Sequence, residues 1–187
     1  KEAVLSEQLG ISRAPIREAL QVLVQEGLIT SEPQKGKHVR QMTGKEIYDS
    51  YVVAGILEGA GVAESLPLWT EANMETFRSV VRQMEGKISY ATKLDELAEI
   101  DELFHATLFM ACDNTRLVEM ARTSCATISK YLYYQHWITM FTPREYADRH
   151  HAVAEAVYSR DVKHVETALR DHYKETGLRM AQFGKEA

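Results

Sequence analysis

Cysteine, proline and glycine are all scarce in this 187-residue sequence, which contains two cysteines, four prolines and ten glycines. Cys112 and Cys125 lie in apolar, helical-looking segments, so we expect reduced, buried thiols rather than a disulfide framework. Since proline and glycine are the residues that most often interrupt helices, their scarcity favours long helices. A composition of 45% hydrophobic and 26% charged residues is that of a globular protein.

The sequence also lacks a long hydrophobic run and an excess of positive charge. Its uninterrupted apolar stretches are shorter than the about 18 to 20 residues that cross a bilayer, and no signal-peptide pattern opens the chain. We therefore expect a cytoplasmic protein that has no membrane partner. The net charge of −5 argues against a surface that binds nucleic acid by charge alone, although a local basic patch is compatible with it.

A local basic patch is predicted within the first 44 residues, which carry six Lys and Arg against five Glu. The pattern predicts a helix over 2–9, a break at Gly10 and a second helix after Ser12. Arg13 and Arg17 lie one turn apart at the start of that second helix. In a helix-turn-helix this end enters the major groove of DNA, where arginine suits both base edges and phosphates.

The segment that follows predicts a two-stranded hairpin. Its strands are expected near 28–32 and 38–41, and its tip contains Lys35 and Gly36. Such a basic tip can lie along the phosphate backbone. Pairs of amphipathic helices with solvated arginines are common, so a purely structural role for this region stays open on pattern alone.

These residues resemble the signature of the bacterial GntR-family transcriptional regulators, which begin with a winged helix-turn-helix. The resemblance implies that Ser12, Arg13 and Arg17 contact DNA from the recognition helix and that Lys35 and Gly36 do so from the wing. The family's first helix would precede Lys1, so the DNA-binding domain, 1–44, is expected to be truncated at its N-terminus. The matching residues are Leu9-Gly10-Ile11-Ser12-Arg13-Ala14-Pro15-Ile16-Arg17-Glu18-Ala19-Leu20, Glu26-Gly27-Leu28-Ile29 and Lys35-Gly36.

The remainder of the chain, 45–187, predicts an all-helical domain of about six helices. The fold class is therefore mostly α: a winged helix-turn-helix without its first helix, followed by a helical bundle. The expected breaks between these helices lie at prolines and at the dipeptides Asp-Asn and Arg-Asp. The predicted helices span 45–65, 70–89, 93–111, 115–137, 144–159 and 161–183.

Two polar residues interrupt the apolar face of the third helix in this domain. Asp101 and His105 are one turn apart and share a face with apolar neighbours. A buried charge must be paired or ligated, because an unpaired one is costly or neutralises itself by a pKa shift. A metal ion would satisfy both groups.

Helical periodicity directs further histidines toward the same interior. His150 lies on the apolar face of the fifth helix and His172 on that of the sixth, while the neighbouring His151 is not excluded by this test. One carboxylate and three imidazoles suit Zn²⁺, Ni²⁺, Mn²⁺ or Fe²⁺. Separately satisfied core histidines are the alternative.

The same residues resemble the metal site of the FCD effector domain, the C-terminal domain of FadR-type GntR regulators. The family's register selects His150 over His151, so the resemblance implies Asp101, His105, His150 and His172 as the ligands of a divalent metal ion. It also implies a small organic acid as effector, bound against the metal within the bundle. The matching segments are Asp101-x-x-x-His105, His-His-Ala-Val-Ala-Glu-Ala-Val from residue 150, and Asp161-Val-Lys-His-Val-Glu-Thr-Ala-Leu-Arg-Asp-His172.

One position departs from the family pattern on the first long helix. The family often has an arginine four residues before a glutamate, and this chain has Ala54 before Glu58. The positive charge that neutralises a carboxylate ligand must then come from the metal or from another residue. Candidates are Arg78, Arg82 and Lys130, which the sequence does not rank.

An enzyme and a metal-storage protein are the competing interpretations. Glu102-x-x-His105 is a motif of di-iron helical bundles, but no second Glu-x-x-His motif with two further inward glutamates accompanies it. A storage protein would carry a vestigial helix-turn-helix. We predict instead a non-enzymatic, metabolite-responsive regulator that binds a short pseudo-palindromic operator as a homodimer.

Overall fold

The computed structural model describes residues 1–186 and confirms a mostly α-helical fold. It opens with two helices, α1 (Glu2–Leu9) and α2 (Arg13–Gln25). Gly10 ends α1 with a φ of 65°, a left-handed conformation that glycine adopts without steric cost. Ser12 precedes α2 in an extended conformation, so the chain turns sharply between the two helices. This is the predicted helix-turn-helix.

A short antiparallel hairpin follows α2. It consists of β1 (Ile29–Glu32) and β2 (Gly36–Val39), with Glu32 opposite Gly36 at the tip. Gln34 and Gly36 both have positive φ in this tight turn. The predicted hairpin is present, although β1 begins one residue later than the sequence suggested and β2 lies two residues closer to the turn.

Seven further α-helices make up the rest of the described chain. Single-turn 3-10 segments at 66–68 and 94–97 and a π-helical turn at 128–132 connect some of them. The helices are α3 (Gly44–Ser65), α4 (Glu71–Ile88), α5 (Ala98–Leu108), α6 (Thr115–Ser124), α7 (Tyr134–Trp137), α8 (Pro143–Ser159) and α9 (Val162–Ala181).

Local sequence explains where three of these helices begin. Each starts with a threonine whose hydroxyl accepts a hydrogen bond from the backbone N–H three residues later, while the side chain at that later position binds the threonine N–H in return. The pairs are Thr43 with Glu46, Thr70 with Asn73 and Thr142 with Glu145.

The predicted helix over 115–137 is interrupted. α6 ends at Ser124, and the π-helical turn (Ile128–Leu132) comes before the short α7. The hydroxyls of Thr123, Ser124 and Ser129 each donate a hydrogen bond to the backbone carbonyl four residues back. Such bonds compete with the regular helical pattern and bend helices, which accounts for the difference from the sequence-based expectation.

Small residues let α3 and α9 pack closely. A Cβ atom added at Gly55 would lie 2.9 Å from the Cβ of Tyr173, and one at Gly177 would lie 2.8 Å from the Cβ of Tyr51. Both distances are shorter than real Cβ contacts, so only glycine allows the backbones to approach this far. The interface thereby brings side chains of both helices to the centre of the bundle.

The segment from Gly44 to Leu68 is strongly apolar. It is 25 residues long, and an 18-residue window within it has a mean hydropathy of 1.2, which by length and composition would suffice to cross a membrane. Half of that window is buried inside the protein. A core helix has these properties, and the packing of α3 against α9 explains them.

We expect Gly55→Ala to lower the free energy of unfolding by about 1–3 kcal/mol, because the added methyl group meets Tyr173 and the α9 backbone. Gly86→Ala is the matched control, since a Cβ there has no neighbour within 4 Å inside α4. This second change should raise the unfolding free energy by about 0.5–1 kcal/mol. Urea denaturation of both variants measures the difference, and equal effects would contradict the packing argument.

Candidate functional site

Three helices bring the predicted histidines and Asp101 together in the bundle. Asp101 and His105 come from α5, His150 from α8 and His172 from α9. One ligand atom from each histidine can be chosen so that all three lie within 4.8 Å of one another. The Asp101 carboxylate is 3.1 Å from Nε2 of His150. The four side chains thus surround one small volume.

Hydrogen bonds at the other ring nitrogens orient two of these histidines. Nδ1 of His105 donates to Glu58 at 2.6 Å, and the second carboxylate oxygen of Glu58 accepts a hydrogen bond from the Tyr173 hydroxyl at 2.6 Å. Nδ1 of His150 lies 2.8 Å from the backbone carbonyl of Tyr146 and donates to it. Each contact leaves Nε2 of its ring free, which is the usual arrangement behind a metal-binding histidine.

Burial and neighbouring charges change the pKa values of this cluster in different directions. Burial lowers the pKa of His150 and, together with the charge of Arg149, lowers that of His172 well below its ordinary value. Burial also acts to lower the pKa of His105, but the Glu58 charge and hydrogen bond outweigh it and raise this pKa to about 9. His150 and His172 are therefore neutral near pH 7 and able to donate a lone pair, whereas His105 is protonated near pH 7 and must release its Nε2 proton to bind a metal ion.

Two nitrogen atoms of the cluster are suited to bind a cation. Nδ1 of His172 and Nε2 of His150 are buried, and neither makes a hydrogen bond among residues 1–186. The Asp101 oxygen 3.1 Å from Nε2 of His150 is itself an acceptor, so this contact is not a hydrogen bond when the ring is neutral. Unpartnered buried nitrogens are costly unless something binds them. Since the donor set consists of imidazoles and one carboxylate, the residues present fit a divalent transition metal.

Neighbouring His151 lies on a different face of α8, about 100° around the helix from His150. Its side chain is 44% exposed and approaches Glu85 of α4, whereas that of His150 is 1% exposed. The tertiary structure thus separates two histidines that helical periodicity alone left open.

A cavity of about 200 Å³ adjoins the histidine cluster. Aromatic side chains, including Tyr51, Trp137 and Phe141, form much of its wall. Its size is between a cavity that holds benzene and the pockets that hold drug-sized ligands. A small metabolite is therefore the appropriate class of ligand.

The positively charged groups around this cavity differ from those the sequence suggested. Of the three candidates only Lys130 lines it, where it forms an ion pair with Glu102. Arg78 and Arg82 lie instead on the exposed side of α4, paired with acidic residues of the same helix. Among the described residues, Arg122 and the largely buried Arg149 are the other arginine or lysine side chains lining the cavity.

Sequence reasoning did not assign functional roles to Glu58 and Arg149. Glu58 is only 3% exposed, and an isolated glutamate within the apolar pattern of α3 was the available signal. Arg149 directly precedes His150, and nothing in its spacing predicts that it crosses to α9. There it binds Glu175, the backbone carbonyl of His172 and the Thr176 hydroxyl.

The predicted DNA-contacting residues all lie on the exposed surface of the N-terminal module. Ser12 has no capping hydrogen bond, which leaves its hydroxyl available. Arg13 and Arg17 are exposed at the N-terminal end of α2, while Lys35 and Gly36 are exposed in the hairpin turn. Backbone N–H groups at such a helix end, together with two guanidinium groups, suit a polyanion.

Glu2 connects the helix to the hairpin. One of its carboxylate oxygens lies 3.3 Å from Nε of Arg17, and the other lies 3.3 Å from Nζ of Lys37. These partly exposed contacts add little stability, but they hold cations of α2 and β2 on the same side of the module.

Comparison with protein families assigns both parts of the chain. Residues 1–39 match the model described as bacterial regulatory proteins, gntR family, and residues 49–175 match the FCD domain.

Curated relatives have consistent names. The chain is 28% identical over 151 residues to the Nta operon transcriptional regulator of Aminobacter aminovorans, covering 80% of this chain and 68% of the relative. It is 26% identical to the HTH-type transcriptional repressor RspR of Escherichia coli (strain K12), covering 99% and 80% of the two chains. Both names describe transcriptional regulators rather than enzymes.

Solved structures have the same fold. E. coli McbR/YncC matches with a TM-score of 0.73 and 19% identity, over 97% of this chain and 86% of that one. A GntR family member from Pseudomonas syringae pv. tomato str. DC3000 matches with a TM-score of 0.62 and 22% identity, over 98% and 75%. With a winged helix-turn-helix followed by an FCD domain that encloses a histidine cluster, this chain belongs to the GntR family of bacterial DNA-binding transcriptional regulators.

Proposed function

We propose that this protein is a cytoplasmic, metabolite-responsive regulator whose helical domain holds one divalent metal ion at Asp101, His105, His150 and His172. The domain at 1–44 binds the operator, and the domain at 45–187 binds the metal and a small organic acid. The single observation that supports this function best is the convergence of three histidines from three helices on the wall of a cavity inside the bundle.

The metal choice follows from the donor atoms. Zn²⁺, Ni²⁺, Mn²⁺ and Fe²⁺ all accept imidazole and carboxylate ligands. When bound, the ion supplies a positive charge that attracts an anionic ligand in a region of low dielectric constant. Glu58 and Tyr173 hold the His105 ring in place, and the Tyr146 carbonyl does the same for His150.

DNA binding is assigned to two exposed elements. Ser12, Arg13 and Arg17 contact DNA from the start of α2, and Lys35 and Gly36 do so from the hairpin turn. Their exposure supports this role. A homodimer presents two such modules to two half-sites, since a twofold symmetric protein fits a pseudo-palindromic operator.

Tyr133 links the cavity to the DNA-binding module. Its hydroxyl accepts a hydrogen bond from the Met42 N–H at 3.0 Å and donates one to the Met42 carbonyl at 3.2 Å. Met42 lies in the connection between β2 and α3, and Ser129 and Lys130, one turn before Tyr133, line the cavity. A ligand that shifts the π-helical turn would therefore displace the connection between β2 and α3. If the ligand binds more tightly to one arrangement of this connection than to the other, it changes the operator affinity by that difference in binding free energy.

We expect His150→Ala to abolish metal binding, whereas wild-type protein holds about one ion per chain. His151→Ala is the matched control, because the adjacent imidazole faces outward and should leave the metal content unchanged. Elemental analysis after purification without chelator gives the stoichiometry, and circular dichroism establishes that both variants fold. Loss of metal in both folded variants, or no metal in the wild type, would refute the proposed site.

Glu58→Gln should weaken metal affinity by about 10–100-fold, because it removes the charged acceptor that orients His105. Competition with a chromophoric chelator measures this affinity. Glu64→Gln serves as control, since it makes the same change at an exposed position of the same helix. If the two variants bound metal equally well, Glu58 would have no part in the site.

Arg17→Ala should weaken specific operator binding by about 10–100-fold, the effect of losing a bidentate arginine contact of about 1–3 kcal/mol. Its metal content should not change. Mobility-shift titrations with DNA from upstream of the protein's own gene, at several salt concentrations, test the prediction. Arg116→Ala removes an equal charge from exposed α6 and should bind like the wild type; equal losses in both would show that net charge alone controls affinity.

A further inference from the structure

The residues that follow α9 cross the connection between the DNA-binding module and the bundle. After α9 ends at Ala181 the chain turns, and the Lys185 N–H donates a hydrogen bond to the Met42 carbonyl at 2.9 Å. Thr43 and Lys185 form a parallel β-bridge at the same place. Met42 itself is only 4% exposed. Residues 183–185, which we call the strap, therefore cover the segment that joins β2 to α3.

Two glycines allow this close crossing. A Cβ atom added at Gly184 would collide with the backbone nitrogen of Gly44 and lie 2.6 Å from its Cα. A Cβ atom added at Gly44 would lie 2.6 Å from the carbonyl oxygen of Ala181. Side chains at these positions would force the backbones apart. The strap thus rests directly against the first residue of α3.

An aromatic contact holds the strap against α7. The Phe183 ring stacks on the His136 ring, with 4.0 Å between the ring centres and 13° between the planes. Phe183 is nevertheless 40% exposed, so the contact is not part of the buried core. Segments with few buried apolar contacts open locally more easily than the core unfolds. The strap can therefore detach while the bundle stays folded.

The strap also brings a positive charge close to the hairpin. The hydrogen bond and charge of Lys35 lower the pKa of the Glu32 carboxyl, and the charge of Lys185 adds a smaller contribution in the same direction. Glu32 is the last residue of β1. One short segment thus contacts the connection and α7 and comes near the hairpin.

We propose that the strap fixes the DNA-binding module against the bundle, and that its release lets the module reorient. The strap continues α9, whereas the Tyr133 contact reaches Met42 from the π-helical turn, so the connection is held from two sides. Modules that are already fixed lose less conformational entropy when a dimer binds two half-sites, so the strap favours operator binding. The inference rests on the dimer proposed above but requires neither the metal ion nor the organic acid.

Limited trypsin digestion of the full chain tests whether the strap protects the connection. Arg40 and Lys45 flank it, and cleavage at both should be at least about tenfold faster in Gly184→Ala and Phe183→Ala, because cleavage follows the population of the open form. Leu178→Ala removes a 53% exposed apolar side chain from α9 itself and should be cleaved like the wild type. Circular dichroism should show the same helix content in every variant.

Mobility-shift titrations then measure the effect on DNA binding. With DNA from upstream of the protein's own gene, Gly184→Ala and Phe183→Ala should each bind about 3–10-fold more weakly, since freed modules present the second half-site at a lower effective concentration. A duplex with one half of the protected site should bind as it does to the wild type. His136→Ala removes the stacked contact from the other side and should have the effect of Phe183→Ala.

The inference is overturned if trypsin cleaves Gly184→Ala and Phe183→Ala at the wild-type rate, or if cleavage is faster but binding of the whole site is unchanged or tighter. Equal losses on the half-site and the whole site would also overturn it, because the residues would then act on the module itself. Failure of the proposed dimer has a different signature. In that case the wild type binds the half-site as tightly as the whole site, while trypsin still distinguishes the strap variants.

Discussion

The hydrogen bonds that Glu58 accepts from His105 and Tyr173 join three helices inside the bundle. α3 supplies the carboxylate, α5 the imidazole and α9 the phenol. A carboxylate that is 3% exposed is costly to bury unless its oxygens are satisfied, and here each oxygen has a partner at 2.6 Å. The orientation of the His105 ring, and with it the geometry of the histidine cluster, depends on this contact.

Close packing of α3 against α9 makes that contact possible. Glycines at 55 and 177 bring the two backbones near enough for Glu58 to reach Tyr173. Arg149 then ties α8 to α9 through the His172 carbonyl and the Thr176 hydroxyl, so the backbone that presents His172 is also held. Packing and polar contacts thus act together: the first sets the distance between helices, and the second sets the direction of the ring nitrogens.

Contacts within the same bundle connect the wall of the cavity to the segment that precedes α3. The π-helical turn has Ser129 and Lys130 at the cavity, and Tyr133 follows it at the Met42 connection. π-helical turns are uncommon and occur often at functional sites. In the function proposed above, this turn is the element whose position differs between the liganded and the free states.

Periodicity and local signals in the sequence determined the helix-turn-helix, the hairpin and most helix boundaries, because caps, turns and apolar spacing depend on residues close together in the chain. They also directed Asp101, His105, His150 and His172 to the helix faces that the structure brings together. Only the tertiary structure separated His150 from His151, broke the helix after Ser124 and brought Glu58, Tyr51 and Arg149 to the cavity. These features depend on how closely two helices approach and on which partners their side chains contact. The spacing of residues along a single helix carries no information about either the distance or the partners.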